Sequence, residues 1–217
     1  MSEHRERLRR ARNEEGAQAS NKYSGRTDVH CSLHADATAV LTAYQPNSTD
    51  QVRLRADYLA HLAAHPDALL RSCSPAHLTA SAAVLDARAE RVLLVLHRKV
   101  GLWLQPGGHC EPSDISLAKA ALREATEETG IDGLRFAGGP VHLDRHRAPC
   151  GVEHHLDVMF ALVAPDGAMP TVSVESADVR WFDVTELPDP TDDAVRAVVR
   201  AAGDQVRREP APQPARP

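Results

Sequence analysis

An α/β sandwich built on a mixed sheet is the fold this sequence predicts, and three observations carry that reading. Strand-like apolar runs at Leu78 to Leu85, Arg91 to Leu96, Val152 to Val163 and Asp178 to Asp183 are bounded by polar or glycine-rich turns. Helical spacing of apolar residues recurs over roughly 114–129 and again from Thr191 to Arg208. Strands and helices therefore interleave, which a sheet covered by helices on its faces accommodates.

Residues 1–49 mix Arg, Glu, Ser, Asn and His with weak periodicity and read as a flexible or loosely packed extension. The basic run Arg5 to Arg12 is interleaved with Glu3, Glu6, Glu14 and Glu15, the pattern of a solvated helix face more than of a nucleic-acid arm. Ser48-Thr49-Asp50 offers an N-cap, after which Val52, Leu54, Tyr58, Leu59 and Leu62 repeat at helical spacing up to His65-Pro66. An N-terminal helix is thus expected within 50–75, ahead of a main domain at 76–209.

In that domain the polar turn Asp86 to Glu90 joins the first two strands, which lead into Gly107-Gly108. Ser113 or Asp114 caps the next helix, Ala118, Ala121, Leu122 and Ala125 form its apolar stripe, and Gly130 supplies the left-handed residue that ends it. Val195, Val198, Val199 and Ala202 mark the closing helix, and the proline-rich residues 210–217 read as a disordered tail.

Acidic residues exceed basic ones, 30 to 25, for a formal net charge of -5, so composition gives no general reason to expect a nucleic-acid partner. Cys31, Cys73, Cys110 and Cys150 are scattered without a CxxC pair, and they read as reduced thiols. Neither a signal peptide nor a long apolar span is visible, so a soluble, cytoplasmic protein with no membrane partner is expected.

The chemistry is concentrated after Gly107-Gly108. On a helix, Glu124, Glu127 and Glu128 stand at i, i+3 and i+4, so their carboxylates share one face within one turn. Like charges so placed repel unless a cation sits over them. Hard oxygen donors suit Mg2+, with Mn2+ as a substitute, far better than Zn2+.

The stretch Gly108 … Arg123-Glu124-Ala125-Thr126-Glu127-Glu128-Thr129-Gly130-Ile131 resembles the Nudix box, a glycine and an upstream glutamate followed by Arg-Glu-apolar-x-Glu-Glu-x-Gly-apolar. Its second half matches at every specified position. In the first half the step from Gly108 to Arg123 is one residue longer than in the pattern, and the expected upstream Glu is Asp114 or absent. The resemblance implies a Nudix α/β/α sandwich, divalent-metal dependence, and hydrolysis of a nucleoside diphosphate linked to another group. Isoprenyl or sugar diphosphates are an alternative substrate class, and a non-catalytic nucleotide-binding sensor is an alternative function. The resemblance further implies that Glu124, Glu127 and Glu128 and the Gly108 carbonyl hold the metal, with Arg123 as the orienting cation and Asp114 outside the catalytic set. Dimers are common in that family, and the Leu54 to Leu62 helix serves either as a homodimer interface or as cover for the core.

Glu175, ahead of Trp181, resembles the glutamate outside the box that reaches the metals or acts as base. Glu128 and Glu111 compete for the base role, since reach comes before pKa. Arg98, at the end of a strand, is a candidate for substrate phosphate, and His155 shares a strand face with Asp157 that is expected to meet substrate. With His109, Cys110, His142, His146 and Cys150 close in sequence a zinc site is an alternative, but no pair has zinc-finger spacing, and surface or hydrogen-bonded histidines are the preferred reading. Trp103 reads as core.

Overall fold

The computed structural model describes residues 32–174 and 176–209. Helix α1 (32–43) and α2 (Thr49–Ala64) precede β1 (Ala76–Leu85), β2 (Arg91–His97), β3 (Trp103–Leu104) and β4 (Gly107–His109). Then follow α3 (Leu117–Thr129), β5 (Arg135–Phe136), β6 (His142–Arg147), β7 (His154–Val163), β8 (Ser176–Asp183) and α4 (Asp193–Arg208).

The strands form one eight-stranded mixed sheet, in which β1 runs parallel to β7 over its whole length and the other pairings are antiparallel. Strand β1 is buried at every position because helices cover both of its faces. Its alternation separates two cores. Leu78, Ala80, Ala82 and Val84 enter one core with Leu117, Ala120, Ala121 and Ala125 of α3 and Tyr58 and Leu62 of α2. Ala83 and Leu85 enter the other, with Val195, Val198, Val199 and Ala202 of α4. Helices, sheet and helix make the α/β/α sandwich that the sequence predicts, with a helical part ahead of it.

The first difference from the sequence expectation lies within residues 1–49, expected to be a flexible or loosely packed extension. Residues 32–43 form α1, which buries Leu33, Ala37 and Leu41 at i, i+4 and i+8 in the α3-side core. This stripe includes a small alanine and is flanked by other alanines, so it stands out poorly against the polar face. Residues 1–31, with the basic run Arg5 to Arg12, and the tail 210–217 lie outside the described residues.

Helix α2 also closes onto the sheet. The Gln51 side chain donates to the Leu143 carbonyl and accepts from the Leu143 N–H, both at 2.8 Å, as a neighbouring strand does. Tyr58 donates its hydroxyl to the Asp144 carbonyl at 2.6 Å.

Strands β3, β4 and β5, of two or three residues each, are too short for periodicity to reveal. Strand β6, His-Leu-Asp-Arg-His-Arg, is recruited by pairing with β7, since its own sequence carries no apolar alternation. Trp103 is core, packed edge-on against Phe182 at 4.8 Å between ring centroids. No helix among the described residues is long and apolar enough to cross a membrane.

Candidate functional site

Strand β4 is the pivot of the site, because its three residues alternate between the two faces of the sheet. Gly108 pairs with Ala80 and looks toward α3, whereas His109 pairs with Thr79 and Gly107 with Ser81 on the opposite face. Both glycines are required by close approach. A Cβ on Gly107 would sit 2.2 Å from the Ser81 Cβ, and one on Gly108 would sit 2.6 Å from Glu124 Oε1. The absence of a side chain at position 108 is what brings the Glu124 carboxylate against the backbone of the turn.

Helix α3 starts later than its sequence suggests. Ser116, and not Ser113 or Asp114, is the N-cap and accepts from the Lys119 N–H at 3.1 Å. Asp36 of α1 accepts from the Leu117 N–H at 2.8 Å, so α1 supplies a carboxylate to the positive end of α3. Burial raises the Asp36 pKa, and the backbone hydrogen bond works against that rise. At the far end Gly130 adopts φ 67° and donates to the Thr126 carbonyl at 2.8 Å.

Asp114 is buried, with 5% of its side chain exposed, and is bidentate with Arg123: Nη2 to Oδ2 at 2.9 Å and Nε to Oδ1 at 3.2 Å. Its Oδ2 also accepts from the Glu111 N–H at 2.8 Å, which fixes the loop ahead of α3. The extra residue before Arg123 is absorbed between Asp114 and the helix. Asp114 therefore occupies the place of the upstream acid in the pattern, and its part is to hold the arginine.

Arg123 then joins the loop to the acidic face. Its Nη1 donates to Glu124 at 3.0 Å and to Glu127 at 3.1 Å, and its Nη2 donates to the His109 carbonyl at 3.0 Å. Burial disfavours the guanidinium charge, but the bonds to Asp114 and Glu124 outweigh it and raise the Arg123 pKa. One half-buried cation thus offsets part of the repulsion among the helix carboxylates. Glu127 is exposed, whereas Glu124 and Glu128 are half-buried.

The remaining sequence candidates are spread out. Glu111 lies in the loop, 4.0 Å from Arg123. Arg98 lies in the exposed turn after β2 and has no ion-pair partner among the described residues. Glu175 lies outside the described residues.

His155 is buried on the sheet face away from α3, so the cleft contact expected of it is not on the carboxylate side. It belongs to a second polar cluster. There Asp157 accepts from Thr79 Oγ1 at 3.0 Å and from Ser81 Oγ at 2.6 Å. Burial raises the Asp157 pKa, and these hydrogen bonds oppose the shift. His77, His109 and His155 stack around one point with ring centroids 5.0 Å apart, and Cys150 approaches from the loop before β7. Burial, then the neighbouring histidines and Arg71, pushes His109 down to about 4 and His155 down to about 3. Nothing in the local sequence marks His77, because only the parallel pairing of β1 with β7 places it opposite His155. Among the described residues Cys73, Cys110 and Cys150 are free thiols.

The sheet, the α3 carboxylates and the glycine turn correspond to a known domain. A family model described as the NUDIX domain matches residues 75–202. The chain belongs to the NUDIX family. Its curated relatives include the NAD-capped RNA hydrolase NudC of Vibrio atlanticus (strain LGP32), 28% identical over 54% of this chain and 43% of the relative. A Bacillus subtilis (strain 168) protein provisionally named 8-oxo-dGTP diphosphatase is 33% identical over 46% of this chain and 62% of that protein. The chain thus spans about half the length of the curated relatives it matches. A MutT protein structure from Methanosarcina mazei Go1 is 20% identical, covers 64% of this chain and 100% of its own, and superposes with a TM-score of 0.49.

Proposed function

We propose that this NUDIX protein is a Mg2+-dependent pyrophosphohydrolase that splits the diphosphate linkage of a nucleoside diphosphate joined to another group. The observation that carries the proposal is the Glu124, Glu127 and Glu128 face of α3, with Glu124 against the side-chain-free Gly108 and both Glu124 and Glu127 held by Arg123. The donor set fits a hard divalent cation: clustered carboxylates and a backbone carbonyl are the ligands Mg2+ and Mn2+ prefer. Glu124, Glu127, Glu128 and the Gly108 carbonyl would hold it. Bound there, the metal supplies neutralisation of diphosphate oxygens and acidification of a water.

The chain's own residues do the rest. Arg123 keeps Glu124 and Glu127 in one orientation and ties them to the turn through the His109 carbonyl. Asp114 keeps Arg123 in place, so the acidic face is set before substrate arrives. A carboxylate takes the proton of the attacking water, with Glu175, Glu128 and Glu111 as candidates, and the bond between phosphorus and the bridging oxygen breaks in line with attack. Arg98, exposed in the turn after β2, is the candidate for meeting a substrate phosphate. The names of the relatives, which include a capped-RNA hydrolase and a nucleotide diphosphatase, support nucleotide-derived diphosphates as the substrate class.

A panel of nucleoside triphosphates, dinucleotides, nucleotide sugars and isoprenyl diphosphates, each with and without Mg2+, tests this reading. Mg2+-dependent release of phosphorylated products from a nucleotide substrate is expected. Turnover of none of them would overturn the reading, and tight nucleotide binding without hydrolysis would replace it with a sensor role.

A further inference from the structure

The geometry points to a second, transition-metal site in this chain, on the sheet face opposite the α3 carboxylates: His77, His109, His155 and Cys150 form a tetrahedral site for Zn2+. One ligand atom from each of the four residues lies within 4.8 Å of every other. The Cys150 sulfur is 3.2 Å from His155 Nε2 and 3.7 Å from His77 Nε2. A zinc ion with Zn–N of about 2.0–2.1 Å and Zn–S of about 2.3 Å spaces nitrogen and sulfur ligands about 3.5 Å apart. These two contacts already straddle that spacing, and modest ring rotations bring the remaining pairs to it.

Hydrogen bonding alone does not satisfy this cluster. His77 Nδ1 lies 3.3 Å from the Cys73 carbonyl, an acceptor only, so the ring proton sits on Nδ1 and Nε2 presents a lone pair toward Cys150. That is also how a metal-bound imidazole is oriented by its outer partner. His109 Nε2 is buried with no hydrogen-bond partner among the described residues. A single Cys150 S–H can serve one nitrogen, so with His77 accepting it His155 joins only by donating from Nε2 to the sulfur, and His109 Nε2 is still left over. A metal ion satisfies all four atoms at once. The three imidazoles are neutral in this environment, the form that binds metal, because burial pushes each of them down. On binding, the Cys150 thiol loses its proton to solvent as the sulfur–metal bond forms.

The donor set selects the ion. Three imidazoles and a thiolate are borderline-to-soft ligands that favour Zn2+ over the hard cation proposed for the α3 face. With all four positions filled by protein, the site is structural. It would tie β1, β4, β7 and the loop before β7 to one point, and through His109 it would brace the residue next to Gly108. No sequence spacing announces it, since its ligands come from separate strands and a loop.

The test uses the full chain, stripped of metal and fully reduced, titrated with Co2+ as a spectroscopic substitute for Zn2+. Thiolate-to-cobalt absorption that saturates at about one equivalent and is displaced by Zn2+ is expected. Cys150→Ser should abolish that absorption while circular dichroism stays native, and His77→Gln should weaken Zn2+ binding at least about tenfold. Cys73→Ser and Cys110→Ser should keep the absorption, as should Glu127→Gln. Lack of a thiolate band, a band that survives Cys150→Ser, or one lost in Glu127→Gln would overturn the proposal. Because the readout is absorption and metal content, its failure is distinguishable from failure of the hydrolase reading.

Discussion

The two faces of strand β4 carry opposite kinds of polar chemistry one residue apart. On the α3 side Gly108 meets a cluster of carboxylates, kept together by Arg123 and open to solvent at Glu127. On the α4 side His109 joins a buried cluster of neutral bases and a thiol. One cluster is an excess of negative charge of the kind that suits a hard cation; the other is an excess of lone pairs of the kind that suits a softer one. The alternation of a strand is enough to keep them apart.

The largest effect expected concerns the carboxylate face alone. Glu127→Gln and Glu128→Gln should each lower Mg2+-dependent turnover by about 100-fold or more, since metal stabilisation of developing charge is worth several kcal/mol. Folding should be little changed or slightly improved, because a like charge is removed, and steady-state kinetics with thermal melts would show both. A variant that kept its activity would remove the reason for assigning chemistry to this face.

Arg123→Ala should break the link between the two faces, since the guanidinium holds the His109 carbonyl as well as Glu124. Removing it leaves the buried Asp114 without its partner, a loss of roughly 3 kcal/mol in denaturant unfolding. Asp114→Asn should recover part of that stability in the Arg123→Ala background by removing the stranded charge. If the double variant is no more stable than the single one, Asp114 is not the main partner.

Acidification should act on the other face. In the metal-free protein His109 and His155 titrate at about 4 and about 3, below the ordinary 6.5, so the unfolded chain takes up these protons first as pH falls. The stability they contribute is complete above about 6.5 and is lost progressively down to about 4 and 3. Melting temperature against pH checks this, and His155→Gln should flatten the slope. An unchanged slope would mean that these imidazoles reach solvent in the folded state.

The smallest expected effect joins the helical extension to the site. Asp36→Asn weakens the carboxylate at the start of α3 and should cost about 1 kcal/mol of stability, the usual size of a helix-end interaction. Replacing Leu41 by Ala, whose side chain is fully buried, serves as the scale for α1 packing at roughly 2–5 kcal/mol.

The sequence by itself determined the carboxylate face. Glu124, Glu127 and Glu128 meet because a helix repeats every 3.6 residues, and Arg123 reaches Glu127 for the same reason. Local periodicity likewise made α2, α4 and the long strands legible to within a few residues. What spacing left open was decided by contacts between distant segments. The part of Asp114 appeared only once the loop from Glu111 closed on Arg123, and α1 emerged only because a core was there to receive Leu33 and Leu41. The histidine cluster is the extreme case. Its members come from β1, β4, β7 and a loop, and what brings them to one point is the pairing of β1 with both β4 and β7, a register that no local pattern encodes.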